Sequence, residues 1–287
     1  MIFRDFADSF LSISADNGNS PGELQQKAIT LKNHLLPIFG AVDMESMGMP
    51  EIREYCKLKL SSGLAAKTIN NHLLVLSRFL SMAREERKLI APKFPIKTLP
   101  LEFQEARFLT RTETQRLLAA ASNEENPLWK VLITVALHTG LRIGELLALD
   151  WSNVDLFGRT VHVKASMCRK SGLKLPKNKK TRDAKLTDAA RLALASLPGR
   201  EGLVFDVAYE TAHNAVTRIA KAAGLDDCGW HTLRHTFASM LVMENIPLIT
   251  VSRLLGHSSV RITERYAHLM PEKQNDAMAT LAAAFGG

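Results

Sequence analysis

Pro92, Pro95 and Pro100 stand close together, about a third of the way along a chain whose flanks are patterned as helix. Proline lacks a backbone N–H and disfavours helical geometry in the residue before it, so no helix runs through this stretch. The segment that follows, Glu102 to Arg107, is polar. Residues 92–107 therefore read as a linker. The 287-residue chain divides into a helical unit, 1–91, and a second unit, 108–287. Either piece is long enough to bury a core of its own.

The first unit carries two apolar stripes at helical spacing. Leu24, Ala28, Leu31, Leu35 and Ile38 form one, and Gly40 stops it. Ile69, Leu73, Leu76, Leu80 and Ala83 form the other, on a longer helix. The opposite face of that helix holds Lys67, Asn70, Asn71 and Arg78. Such a face is either simply solvated or turned towards a polyanion, and the spacing alone does not choose between the two.

The second unit opens with Thr110 and, three residues on, Glu113. That pair is a capping box, in which each side chain satisfies a backbone N–H of the first helical turn. Pro127 to Leu137 is nearly continuous apolar sequence and reads as a buried helix. Between Thr160 and Leu186 the period changes to two: Val161 and Val163 alternate with His162 and Lys164. Ser171-Gly172 marks a turn, and Arg182 to Leu186 returns as a strand. From there helices are expected over 187–197, 210–223, 231–244, 247–255, 259–269 and 272–284. The fold class is mainly α with a small antiparallel sheet.

The formal net charge is +8 and the pI about 9.5, a surplus that suits a polyanionic partner. Residues 164–185 concentrate it, with nine Lys or Arg against the single acid Asp183. Phosphate contact explains that density better than a self-repelling surface does. Cys56, Cys168 and Cys228 are scattered and odd in number, so neither a disulfide framework nor a metal knuckle is expected. No apolar run approaches the ~20 residues that span a bilayer. The stretch from Met1 has acidic residues early and no apolar core followed by a small-residue cleavage site, so no signal peptide is expected. A cytoplasmic protein is the expectation.

Six residues make chemical sense together: Arg142, Lys177, His231, Arg234, His257 and Tyr266. Guanidinium groups are permanently charged and grip two oxygens at once, so Arg142 and Arg234 suit the developing charge on a phosphodiester. Arg142 lies where a glycine turn meets a helix start, itself an anion-favouring place. Tyr266 supplies a nucleophile able to keep the bond energy in a covalent link. Its phenol, with an ordinary pKa of about 10, needs a base or cationic surroundings; His231 and the arginines are candidates. Lys177 is placed to protonate the leaving oxygen, His257 to hydrogen-bond the phosphate, and Glu145 to orient a neighbour. Each residue alone has a plainer reading. Arg142 could be a helix surface residue, Tyr266 a packing residue, and Lys177 one basic residue among many. His231 and His235 could share a helix face as metal ligands, but no glutamate follows His231 as a zinc hydrolase pattern wants. The ordered set is what argues for chemistry.

The segments TGLRIGEL, LPKNKKTRDAKL, HTLRH, LLGH and ERYAHL resemble those of the tyrosine recombinase, or phage integrase, family over about residues 108–287. The resemblance implies a two-domain, C-shaped DNA clamp, with residues 1–91 as core-binding domain. It implies catalytic roles for Arg142, Lys177, His231, Arg234, His257 and Tyr266, with Glu145 at the acidic position. Lys67, Asn71, Arg78, Lys174, Lys179, Lys180 and Arg182 are expected to contact DNA. The reaction would join Tyr266 to a 3′-phosphate and pass through a Holliday junction, with no metal, ATP or other cofactor. Four protomers would exchange a C-terminal helix, 272–285, docking through Leu281, Ala284 and Phe285. The resemblance leaves room for accessory DNA-bending proteins. Two rival readings remain at this level: a type IB topoisomerase sharing the chemistry, and a DNA-binding protein that kept the fold alone.

Overall fold

The computed structural model describes residues 1–87, 95–102, 105–169, 172–174, 181–270 and 283–285. The chain packs as two compact units, Met1–Gln104 and Glu105–Gly287.

The first unit is helical. A 3-10 turn, Phe3–Phe6, leads into α1 (Ala7–Asp16). Ser20 and Glu23 form a capping box at the start of α2 (Pro21–Thr30). A wide π-type turn, Leu31–Leu35, joins α2 to α3 (Leu36–Phe39). Pro37 explains the widening, because it has no N–H for the carbonyl four residues back. Two more helices follow, α4 (Met49–Ser61) and α5 (Ala66–Arg87). The apolar stripe of α5 is buried throughout, from Ile69 to Ala83. Phe79 on the same face stacks on Phe3 at 4.1 Å and meets Phe6 edge-on at 5.4 Å between ring centroids.

The opposite face of α5 divides. Lys67, Asn71 and Arg78 are exposed. Asn70 is buried and does not belong with them. Its amide donates to the Leu99 carbonyl at 2.9 Å and accepts from the Leu99 N–H at 2.7 Å. Ile96 and Leu99 also pack on the core of this unit. Part of the expected linker is thus strapped down, because an extended proline-rich segment finds in Asn70 a substitute for a missing strand partner.

The second unit is built around α7 (Leu128–Thr139), whose side chains from Trp129 to Leu137 are largely buried. Against it pack α6 (Arg111–Ser122), capped by Thr110 and Glu113, and α8 (Ile143–Leu147). A three-stranded antiparallel sheet has the order β1 (Val154–Asp155), β2 (Thr160–Val163), β5 (Arg182–Lys185). Val161 pairs with Ala184 in its register, and both are buried. Between β2 and β5 the chain makes a separate ladder of β3 (Ser166–Cys168) and β4 (Gly172–Lys174). The remaining helices are α9 (Asp188–Ala195), α10 (Tyr209–Ala222), α11 (Trp230–Met243) and α12 (Leu248–Leu255).

The helix expected over 259–269 is instead two 3-10 turns, Val260–Ile262 and Glu264–Leu269. Gly256 ends α12 in the left-handed region, and the side chain of Ser259 accepts from Arg261, so each new turn starts tight. Of the expected C-terminal helix only 283–285 is described, and there Ala284 and Phe285 are exposed; Leu281 lies outside the described residues.

Candidate active site

Two helix ends and one buried guanidinium organise the site. α7 stops at Gly140 with φ of 61°, and α12 stops at Gly256 with φ of 64°. A β-carbon on Gly140 would lie 2.4 Å from a ring carbon of Phe237; one on Gly256 would lie 2.4 Å from Cδ of Arg182. Both the backbone geometry and the space therefore demand glycine. Each helix end leaves carbonyls without intrahelical partners. Arg234, on α11, takes up one from each: its guanidinium donates to the Gly140 carbonyl at 2.5 Å and to the Leu255 carbonyl at 2.7 Å.

Arg234 is 5% exposed. Burial, then the charge of Arg142, pull its pKa down to about 10, with Glu145 opposing. It remains cationic at neutral pH. Arg142 itself follows the Gly140 turn with extended backbone, at the start of α8. Glu145 reaches back to accept from the Arg142 backbone N–H at 2.8 Å and from its guanidinium at 3.1 Å. The Arg142 side chain is 43% exposed, so it keeps an open side.

Glu145 serves a second arginine. Arg182, on β5, donates to it at 2.6 Å and to the Leu254 carbonyl at 2.8 Å. Arg182 was expected on the DNA-facing surface. Its side chain is only 17% exposed and its guanidinium is engaged by protein oxygens, so it braces Glu145 and the end of α12 instead. Burial lowers its pKa, and Glu145 offsets this.

His257 follows Gly256 directly. Its Nδ1 shares a hydrogen bond of 2.8 Å with the hydroxyl of Thr263, which is fully buried. Burial first, then Arg234, Arg142 and Arg182, push its pKa down to about 4. His231 lies in the first turn of α11 and is exposed. Burial, Arg234 and Arg142 lower its pKa as well.

Tyr266 is 3% exposed and packs with Ala238, Val242, Val251 and Leu255. Burial raises its pKa, while Arg265 and Arg234 work against the rise. Its phenol oxygen is 2.5 Å from Nδ1 of His235, not paired with His231. Burial, then Arg265, His231 and Arg234, depress the His235 pKa to about 4.

Arg142, Arg234, His231, His257 and Tyr266 are thus neighbours, with Glu145 behind the two arginines Arg142 and Arg182. Lys177, Lys179 and Lys180 lie outside the described residues, and of Lys174 only the backbone is described. Lys67, Asn71 and Arg78 belong to the first unit. Sequence reasoning missed Thr263 and the pairing of His235 with the phenol. His235 had a signal, its place one residue after Arg234 and one helical turn after His231. Among the described residues no group of three or more His, Cys, Asp or Glu side chains is placed to hold a metal ion.

Residues 107–273, more than half of the chain, match the Phage integrase family. The chain belongs to that family. Tyrosine recombinases, a class of DNA breaking and rejoining enzymes, are among its relatives. The ICEBs1 integrase of Bacillus subtilis is 25% identical over 92% of this chain and 78% of its own length. Tyrosine recombinase XerA of Saccharolobus solfataricus is 29% identical over 71% of this chain, which spans 64% of that relative. The fold of this phage integrase family member is also that of the Tn1549 transposon integrase solved in complex with circular intermediate DNA. The TM-score is 0.81 at 18% identity, over 99% of this chain and 100% of that one.

Two strongly depressed histidines of the site, together with His72 of the first unit, which is also held at about 4, set an acid limit on the stability of this integrase-family chain. His235 and His257 are neutral in the fold down to about pH 4, against an ordinary imidazole value of 6.5. The unfolded chain therefore takes up protons first as the pH falls. Their contribution is intact above pH 6.5 and is lost progressively towards pH 4. The expected result is a falling denaturant midpoint across that window, with a shallower fall in the His257→Asn chain. Parallel curves for the two chains would contradict the assignment.

Proposed function

We propose that this protein is a site-specific DNA recombinase that cleaves and rejoins strands through a covalent 3′-phosphotyrosine at Tyr266. Arg142 and Arg234 neutralise the two non-bridging oxygens of the scissile phosphate, and His231 and His257 donate hydrogen bonds to it. The phenol oxygen of Tyr266 bonds to phosphorus as the bond to the 5′-oxygen breaks. Lys177 gives that oxygen its proton, which frees a 5′-hydroxyl. The reverse attack by a 5′-hydroxyl of a second duplex rejoins the strand. Two such exchanges pass through a Holliday junction on a tetramer held by the C-terminal segment. The bond energy stays in the phosphodiester throughout, so neither ATP nor a metal is required. Lys67, Asn71, Arg78, Lys174, Lys179 and Lys180 hold the duplex by its phosphates.

One observation carries this reading above the others. Two arginines of separate elements, one of them buried and still cationic, share an electrostatic neighbourhood with the neutral histidines His235 and His257 and with Tyr266. A fold kept for DNA binding alone has no need to bury a guanidinium beside a phenol. Among the described residues no helix is long and apolar enough to cross a membrane, which accords with action on DNA.

The test is to incubate the protein with DNA fragments nicked at random, denature, and sequence the strands left attached. Wild type is expected to retain strands by their 3′ ends at a common site, in the presence of EDTA. Tyr266→Phe is expected to bind the same DNA and retain none, because the phenol adds little to phosphate contacts. Attachment through another residue, a 5′ linkage, or adducts from the Tyr266→Phe chain would sink the proposal.

A further inference from the structure

We propose that His235 is the proton acceptor of the nucleophile: its Nδ1 takes the Tyr266 phenolic proton as the oxygen bonds to phosphorus. The inference rests on the recombinase reading and adds to it a residue that the phosphate-binding set does not contain.

Three observations support it. The phenol oxygen and His235 Nδ1 are 2.5 Å apart in a site where Tyr266 is almost wholly enclosed. Burial keeps the phenol protonated in the free protein, and in the His235 tautomer that this role requires, Nδ1 carries the lone pair and accepts from the phenol. The other ring nitrogen then holds the proton, leaving an imidazole ready to accept a second one. No rival base competes for the phenol among the described contacts. His231 stands one helical turn earlier on α11 and makes no hydrogen bond to Tyr266 among the described residues.

The proton balance closes in both directions. On cleavage the O–H bond of Tyr266 breaks, its proton moves to His235, the phenolic oxygen bonds to phosphorus and the 5′-oxygen leaves. On rejoining, imidazolium returns the proton to the departing phenolate. A base that becomes an acid on reversal suits a reaction that must run equally well both ways. Burial, then the charge of Arg265 from the tyrosine turn, with His231 and Arg234 from its own helix, hold the His235 ring neutral while the site is empty. A DNA phosphate among them neutralises part of that field, which makes the ring more basic when the proton has to move.

The experiment uses the full chain and the duplex recovered from the wild-type adduct, nicked to trap the covalent product. His235→Asn places an amide oxygen where Nδ1 stood; it accepts the same hydrogen bond and cannot take the proton. Single-turnover adduct formation by H235N is expected to be about 10²–10⁴-fold slower at neutral pH, with DNA affinity unchanged. The deficit is expected to shrink as the pH rises past about 10, later than for a free phenol because burial raises this one, as the phenol ionises without help. A rate within threefold of wild type at neutral pH would mean that holding the phenol is enough, and would overturn the proposal. A deficit constant across the whole pH range would assign His235 a structural role and overturn it equally. If H235N does not fold, the wild-type ring answers by nitrogen-resolved NMR: His235 is expected to titrate at higher pH in the adduct than in the free protein, and an unchanged or lower titration overturns the assignment. Failure of the wild type to form any adduct would refute the recombinase reading itself, a result separate from all of these.

Discussion

Arg234→Ala is expected to slow adduct formation by about 10²–10³-fold, the usual loss of about 2.7–4 kcal/mol when one donor to a developing oxyanion is removed. DNA affinity should change far less, because one phosphate contact is lost among many. Stability should fall too. The Gly140 and Leu255 carbonyls lose the donor they share, and an unsatisfied buried carbonyl costs about 1–3 kcal/mol. Relief from burying a cation offsets part of this. Arg234→Lys sharpens the test. It keeps the charge but offers a point donor in place of a planar fork. It cannot serve both helix ends and a phosphate together, so it should recover folding more than cleavage. Cleavage by Arg234→Lys near the wild-type rate would mean that charge alone suffices and that the two-carbonyl cradle is incidental. Adduct yield on the nicked duplex and urea unfolding of the same preparations measure both sides.

Glu145→Ala should be the most destabilising single change in the site. The Glu145 carboxylate is 10% exposed and the Arg182 side chain 17% exposed. Removing one partner of such a pair leaves a buried, uncompensated charge, which costs about 3–5 kcal/mol. The share that passes through Arg142 is small, since that side chain is nearly half exposed and water screens it. Arg142 nonetheless loses the carboxylate that orients it, so cleavage should fall beyond what instability explains. A double-mutant cycle with Arg182→Met separates the two effects. With both charges gone, much of the stability should return while the cleavage defect stays. A Glu145→Ala chain as stable as wild type would show that Arg182 finds another anion or solvent, and the brace would be disproved.

Local patterns in this chain were read correctly where short-range physics dominates. The α5 stripe is buried as its period demands, because a 22-residue helix has one continuous apolar face and one way to cover it. Thr110 and Glu113 cap α6 because the reciprocal bonds close within three residues. Thr160–Val163 is a strand because its alternation admits one face to the core. Misreadings share a different cause. Asn70 sits on a face that looks polar from spacing, yet its amide is held by Leu99, a partner 29 residues away. Arg182 lies in a basic run and reads as surface, yet β5 turns it towards Glu145 and the end of α12. The turns around Tyr266 have helical spacing in sequence, and Ser259 and Thr263 tighten them through side-chain bonds that composition does not reveal.

The segments that carry Arg142, His231, Arg234, His257 and Tyr266 were enough to point to the phage integrase family, because its signature lies in short local stretches of chain that spacing alone reveals. Which nitrogen meets the phenol, which arginine faces outward and which one braces another were decided by the tertiary structure alone. Those roles depend on carbonyls at two helix ends and on a carboxylate shared between two arginines. Such contacts join residues tens of positions apart, and a side chain's charge says nothing about which of them it will reach.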